Sequence, residues 1–163
     1  MTDIAPLLPI AEELIAACRE HDLKLATAES CTGGLIVGLL TEIAGSSAAV
    51  DRGFVTYSNE AKTEMLRVPA ELIERAGAVS SDVAIAMAEG AIARSHADIA
   101  VAVTGVAGPS GGTVEKPVGL VHFGAMRRGR SAGQAERRFG DIGRSAIRLA
   151  TIRQALLMMR QLI

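Results

Sequence analysis

The sequence predicts a three-layer α/β/α domain built on a mixed, mostly parallel sheet of about five strands. Three observations lead there. Strand-like and helix-like segments alternate through the early part of the chain, the pattern of strands joined by crossover helices. The segment 97–105, "ADIAVAVTG", is apolar on both faces, as a strand buried in the middle of a parallel sheet must be. Late in the chain, 118–126 and 133–139 flank an Arg-Gly turn and read as an antiparallel pair.

Each element has its own signal. Residues 7–20 set Leu7, Ile10, Leu14, Ile15 and Cys18 on one helical face, with Glu12, Glu13 and Arg19 outside. "LKLATA" at 23–28 is a short strand running into the turn "ESCTGG". "GLIVGLLTEIA" at 34–44 is a helix apolar on most sides, hence pressed into the core, and Gly45 ends it. "GFVTYS" at 53–58 is a strand, after which Ser58 or Asn59 caps a helix beginning "EAKTEML". Pro69 starts a short helix, and Ser80 or Ser81 caps an alanine-rich one reaching about Arg94. The last helix carries Leu149, Ile152, Leu156, Met159 and Ile163 at spacings of 3, 4, 3 and 4, an apolar stripe that reads as core.

Composition narrows the function. The 163 residues are 49% hydrophobic and 21% charged, as in a soluble globular chain, and no repeat or linker divides residues 1–163, so a single domain is expected. Apolar content leans on alanine and aromatics are only 2%, which predicts closely approaching layers and excludes base-stacking platforms for single-stranded nucleic acid. A net charge of −1 supplies no field to recruit nucleic acid or an acidic membrane. No apolar run approaches the ~20 residues of a membrane span. The opening "MTDIAPLLPIAEELI" lacks a basic leader, so no signal peptide is expected. Cys18 and Cys31 make no metal pattern and read as reduced thiols of a cytoplasmic protein. Arg127, Arg128 and Arg130 surround Gly129 and read as a solvated hairpin tip, with phosphate binding as the other use.

Three loops follow three strands, and if those strands are parallel the loops share one edge of the sheet. The first, with Ser30, Cys31, Thr32, Gly33 and Gly34, precedes a helix. Its free N–H groups suit a phosphate or an oxyanion, although Ser30 or Thr32 would also serve as a plain helix cap. It is not a triphosphate P-loop, because no Gly-Lys-Ser/Thr ending follows. Cys31 could be a nucleophile at a helix start, but the packed-thiol reading is preferred because none of His21, His96 and His122 lies in these loops. The second loop holds Tyr57, the only tyrosine, and places Lys62 in the first turn of the next helix, where a cation is disfavoured. A lysine so placed can act as a general base for a hydroxyl nucleophile, whereas on the surface it would pair with Glu60 or Glu64. The third loop gathers Gly105, Gly108, Gly111 and Gly112 around Pro109, a close-fitting backbone wall or a long turn.

The segments "TAESCTGG", "GFVTYSNEAK", "GAVS", "TGVAGPSGG", "EKPVG" and "RRFGDIGRSAIRLATIRQAL" together resemble the CinA C-terminal domain family over nearly the whole chain, from about residue 6. The resemblance implies hydrolysis of the carboxamide of nicotinamide mononucleotide to nicotinate mononucleotide and ammonia. It also implies a metal-independent, cofactor-free, cytoplasmic enzyme that assembles as a homo-oligomer, a dimer or higher. Many members carry a larger N-terminal nucleotide-processing domain, for which this chain has no room. Carried over by motif, the catalytic candidates are Ser30, Ser47, Tyr57 and Lys62. The substrate-binding candidates are Thr32, Gly33, Gly34, Thr104, Gly105, Gly108 and Arg144. In the implied mechanism a serine attacks the carboxamide, Lys62 helped by Tyr57 moves the proton, and Arg144 clamps the phosphate or pairs with Asp141. Ser30 sits at a strand-to-helix turn, while Ser47, beside Ser46, would reach the site if its loop came next to Tyr57 and Lys62. Two other readings stay open: a nonenzymatic nucleotide-binding module, and an amidase for a different small amide.

Overall fold

The computed structural model describes residues 2–163. In chain order the elements are α1 (Leu8–Glu20), β1 (Leu25–Glu29), α2 (Leu35–Thr41), β2 (Val50–Val55), α3 (Asn59–Leu66), α4 (Ala70–Ala76), α5 (Ser81–Ala93), β3 (Ile99–Gly105), β4 (Leu120–Arg127), β5 (Gly133–Arg138) and α6 (Arg144–Arg160). The strands form one sheet in the order β2-β1-β3-β4-β5. Strand β1 pairs in parallel with both β2 and β3, and β4 is antiparallel to both β3 and β5. Only β4 therefore runs against the others. The expected α/β/α architecture with a mixed, mostly parallel sheet is what the chain adopts.

Alternation along the central strands decides which helices lie where. Leu25, Ile99, Val101 and Val103 point to the face covered by α1, α2 and α6, and Ile152, Leu156 and Met159 of α6 are buried there. The expected stripe on the last helix is thus core. Ala26, Ala28, Ala100 and Ala102 point to the opposite face, where α3, α4 and α5 pack. Alanines on that face let α5 lie close to the sheet. A Cβ at Gly124 of β4 would run into the Ala84 carbonyl of α5, and one at Gly90 of α5 would run into the Leu66 carbonyl of α3. Gly124→Ala is accordingly expected to cost about 1–3 kcal/mol, read as a lower urea midpoint at unchanged slope.

Two boundaries differ from the sequence expectation. The second strand spans Val50–Val55, not 53–58, because Ser58 leaves the sheet and caps α3, its Oγ accepting from the Ala61 N–H at 3.0 Å. Asp51 and Arg52 are strand residues that polarity alone hides, since β2 is an edge strand. The helix expected over 34–44 ends at Thr41, and Gly45 at φ +80° turns the chain away.

The hairpin of β4 and β5 corrects another reading. Arg127 donates to the carbonyls of Leu162 and Ile163 at 2.7 and 2.8 Å. Arg128 donates to the carbonyls of Ile92, Ser95 and Ala97 at 2.8 to 3.1 Å. Two of the three arginines thus close the carbonyl-rich ends of α6 and α5 and are neither a free phosphate cluster nor simply solvated.

Candidate active site

Because β1, β2 and β3 are parallel, the loops after Glu29, Val55 and Gly105 leave the same edge of the sheet. The Ser30 N–H donates to the Val103 carbonyl at 3.1 Å, extending the ladder and placing Ser30 beside Thr104. Ser30 follows Ala26 and Ala28 in the alternation, so it faces the α3 layer. Lys62, in the first turn of α3, meets it there.

Lys62 is 1% exposed, one of the largest fully buried side chains of the protein. Its Nζ lies 3.1 Å from Ser30 Oγ and donates to the Thr56 carbonyl at 2.9 Å and to those of Tyr57 and Ser58 at 3.4 Å. Burial pulls its pKa below the ordinary 10.5, while Cys31, when ionised, and Glu60 pull the other way. As a neutral amine it offers two N–H groups to the carbonyls and a lone pair to the serine hydroxyl. That is the arrangement of a base beside its nucleophile. The surface pairing with Glu60 or Glu64 is absent.

The "ESCTGG" turn is built around a residue that the sequence reading passed over. Glu29 is fully buried, and its carboxylate accepts from the N–H groups of Gly34, Ile36 and Val37 at 2.8 to 3.0 Å. It also accepts from the hydroxyls of Thr27 at 3.0 Å and Thr32 at 2.7 Å. Glu29 is the cap of α2, in place of Ser30 or Thr32. The start of α2 already holds an anion, so it cannot cradle a phosphate as well. Thr32 is buried with its hydroxyl committed to Glu29, which corrects its assignment as a substrate ligand. Gly33 and Gly34 have φ of +62° and +95°, so they bend the chain back over the carboxylate. The signal available in sequence was a lone acid ahead of two glycines at a helix start. Cys31 is buried, its thiol pushed up to about 12 by desolvation, and so remains protonated.

The remaining candidates divide. Arg144 opens α6 and joins two loops, donating to the Gly108 carbonyl at 2.6 Å and to the Tyr57 hydroxyl at 3.3 Å. It does not pair with Asp141. Tyr57 is 61% exposed at the rim with its phenol on Arg144. Only its backbone carbonyl meets Lys62, which corrects the expected proton relay through the phenol. Thr104 is buried beside Ser30 and donates to the Ala78 carbonyl at 2.8 Å, tying the "GAVS" loop to the rim. Gly105 lacks room for a side chain, since a Cβ would come within 2.7 Å of the Leu120 carbonyl.

Ser47 lies at the wrong edge. It is exposed in the 3-10 turn Ser46–Ala48 that precedes β2, and Lys24 donates to the Ala48 carbonyl at 2.7 Å beside the start of β1. Six strand residues at ~3.3 Å each separate that turn from Thr56, about 20 Å within one chain. Ser47 is therefore not a nucleophile for Lys62 of the same chain. A second arginine was missed: Arg148, one helical turn after Arg144, donates through Nε to the Cys31 carbonyl at 2.9 Å. The spacing in "RSAIR" puts both on one face of α6 and was the signal for it. A cavity of about 370 Å³ between α3 and α4 contains neither Ser30 nor Lys62, and its Glu60, Glu64 and Glu74 repel a phosphate.

A serine hydroxyl beside a buried lysine amine, at the strand-end rim of an α/β/α sheet, defines a domain equipped for lysine-assisted acyl chemistry. The chain belongs to the CinA C-terminal domain family, whose model matches residues 7–163. The nicotinamide-nucleotide amidohydrolase PncC of Escherichia coli is 46% identical over 157 residues, 96% of this chain and 93% of that protein. A CinA-like protein of Colwellia psychrerythraea is 59% identical over 112 residues, 69% of this chain. The alignments with four curated relatives of that longer kind span between 26% and 29% of their length. Among solved structures, the competence/damage inducible protein CihA from Agrobacterium tumefaciens superposes with a TM-score of 0.94 at 56% identity, covering 96% of this chain and 94% of that one.

Proposed function

We propose that this chain is a nicotinamide-nucleotide amidase, hydrolysing the carboxamide of nicotinamide mononucleotide to nicotinate mononucleotide and ammonia. The observation that carries the proposal is the 3.1 Å approach of the buried Lys62 amine to Ser30 Oγ. Ser30 Oγ attacks the carboxamide carbon while Lys62 Nζ takes the hydroxyl proton. Backbone N–H groups hold the oxyanion. The carbon–nitrogen bond breaks as Lys62 returns that proton to the departing nitrogen, leaving an acyl-serine and ammonia. Water then attacks the acyl carbon, Lys62 takes a proton from it, and Ser30 recovers its own. One water is consumed per turn. Arg144 binds the phosphate, since only two of its donors face Gly108 and Tyr57. Tyr57 bounds the substrate from the rim.

The PncC relative, aligned over nearly both full lengths, supports the substrate class. We take residues 1–163 as one amidohydrolase domain of nucleotide salvage, cytoplasmic and homo-oligomeric. Its two free buried cysteines fit a reducing compartment, and no helix of the described residues is long and apolar enough to cross a membrane. Ammonia release from purified protein is the test. Nicotinamide mononucleotide is expected to exceed nicotinamide riboside by about 10²-fold or more in kcat/KM, the effect of losing a charge-assisted phosphate contact. Equal rates on the two would remove the phosphate site, and no release from either would remove the amidase reading.

A further inference from the structure

We propose that Thr56 is a positioning residue for Lys62, its hydroxyl accepting a hydrogen bond from Nζ while that amine carries the serine proton. The assignment rests on the amide hydrolysis proposed above and names the group that steadies its base.

Thr56 directly follows β2. Its N–H donates to the Glu29 carbonyl at 2.8 Å, which sets it beside Ser30 across the β1–β2 pair. Val55 lies near Gly34 on the α2 face, and Phe54 is buried on the opposite one. Alternation therefore turns the Thr56 side chain to the face on which Ser30 meets Lys62. The Thr56 carbonyl accepts from Nζ at 2.9 Å, the shortest of the contacts the amine makes. Ser30, Thr56 and Lys62 thus converge from β1, β2 and α3. Thr56 is 0% exposed, and its Oγ1 is one of two buried side-chain polar atoms with no partner among the described residues. Buried hydroxyls are nearly always bonded, so this one is carried at a cost in the resting protein.

The reaction changes what Lys62 needs. The neutral amine has two N–H groups and a lone pair, which the carbonyls and the Ser30 hydroxyl satisfy. Once Ser30 has attacked, the ammonium has three N–H groups, and one of them must serve the departing nitrogen. Ammonium hydrogen bonds are short, about 2.7–2.9 Å. Only the Thr56 carbonyl lies in that range, since those of Tyr57 and Ser58 stand at 3.4 Å. The unpaired oxygen on the residue already bonded to Nζ supplies the missing acceptor. The bond belongs to the charged state and not to the resting one, so it lowers the barrier without tightening the ground state. Of the titratable groups that bear on the amine, Cys31 stays protonated and Glu60 is exposed. Helix α5, packed against α3, brings Met87, Ala88 and Ala91, which carry no charge.

Thr56→Val and Thr56→Ser separate the possibilities, because valine keeps the shape without the hydroxyl and serine keeps the hydroxyl. With nicotinamide mononucleotide as substrate, Thr56→Val is expected to lose about tenfold in kcat with KM changed less than about threefold. Its acid limb in kcat/KM moves to lower pH by about half a unit or more, because a lost acceptor disfavours the charged amine. Its Tm stays at or above that of wild type, since the resting hydroxyl has no bond to lose. Thr56→Ser keeps kcat within about threefold of wild type and leaves the limb in place. Support requires both the fall in kcat and the shift of the limb; either one missing overturns the assignment. So does a rise in KM at constant kcat, the mark of a substrate contact, or equal losses in the two variants tracking a lower Tm, the mark of a purely structural one. If Thr56→Val does not fold, Thr56→Ala against Thr56→Ser carries the test, the pair differing only in the hydroxyl, and equal kcat in both overturns it. Failure of the wild-type protein to release ammonia strikes the amidase reading itself, whereas turnover that ignores Thr56 strikes only this assignment.

Discussion

Ser30→Ala and Lys62→Met proteins are expected to fold and to lose turnover of nicotinamide mononucleotide by about 10³-fold or more. Each removes one half of the only exchange that carries the reaction, so the double variant should be little worse than either single one. Substrate binding should survive in Ser30→Ala, because the phosphate-binding role falls to Arg144. Rate against pH supplies a second reading of the same pair. The amine must be neutral to accept the serine proton, so kcat/KM rises with pH along an acid limb that belongs to Lys62. Burial places that limb below 10.5. Stability follows the same sign. Between the folded pKa of Lys62 and the higher one of the unfolded chain, the unfolded state holds more protons, so stability rises as pH climbs through that window. A Lys62→Met protein that kept wild-type kcat would falsify the proton chemistry outright.

Glu29→Ala is expected to be the most destabilising single change at the site, at about 3–5 kcal/mol, or roughly 10 °C in Tm for a chain of this size. The buried carboxylate accepts from the main-chain N–H groups of Gly34, Ile36 and Val37 at the start of α2 and from the hydroxyls of Thr27 and Thr32, and all five lose it together. Glu29→Gln should fail nearly as badly, because one acceptor oxygen becomes a donor aimed at donors. Thermal unfolding followed by circular dichroism measures both. A Glu29→Gln protein as stable as wild type would mean that α2 is held by its apolar face alone. Since Ser30 follows Glu29 directly, activity should fall with stability in these proteins.

Much of this was legible beforehand, for physical reasons that differ from residue to residue. Strand β3 was visible because burial on both faces demands a near-continuous apolar run, and α6 because its stripe repeats at helical spacing. The rim shared by three loops followed from parallel strands. Lys62 could be singled out because a lysine in the first turn of a helix is a misplaced charge unless burial neutralises it. What stayed hidden was the partner of each polar group. Thr32 looks like a substrate ligand in a string of letters, and only the fold shows that its hydroxyl is bonded to Glu29. Ser47 was misplaced because its motif says nothing about which end of β2 it occupies. The arginines of the hairpin find acceptors more than thirty residues away, which local charge patterning cannot report.

Those arginines have a bearing on how the protein behaves under load. The loop between β4 and β5 sits at the edge of the sheet away from Ser30, since Arg127 pairs with Ile99 at the start of β3. From there Arg127 fastens the segment that follows α6 and Arg128 fastens the last turn of α5 and the residues after it, helices on opposite sides of the sheet. A single short loop is thus a clasp for both outer layers. Loosening it should release the two sides together, far from the chemistry, while the strand ends that carry the nucleophile keep their own anchorage.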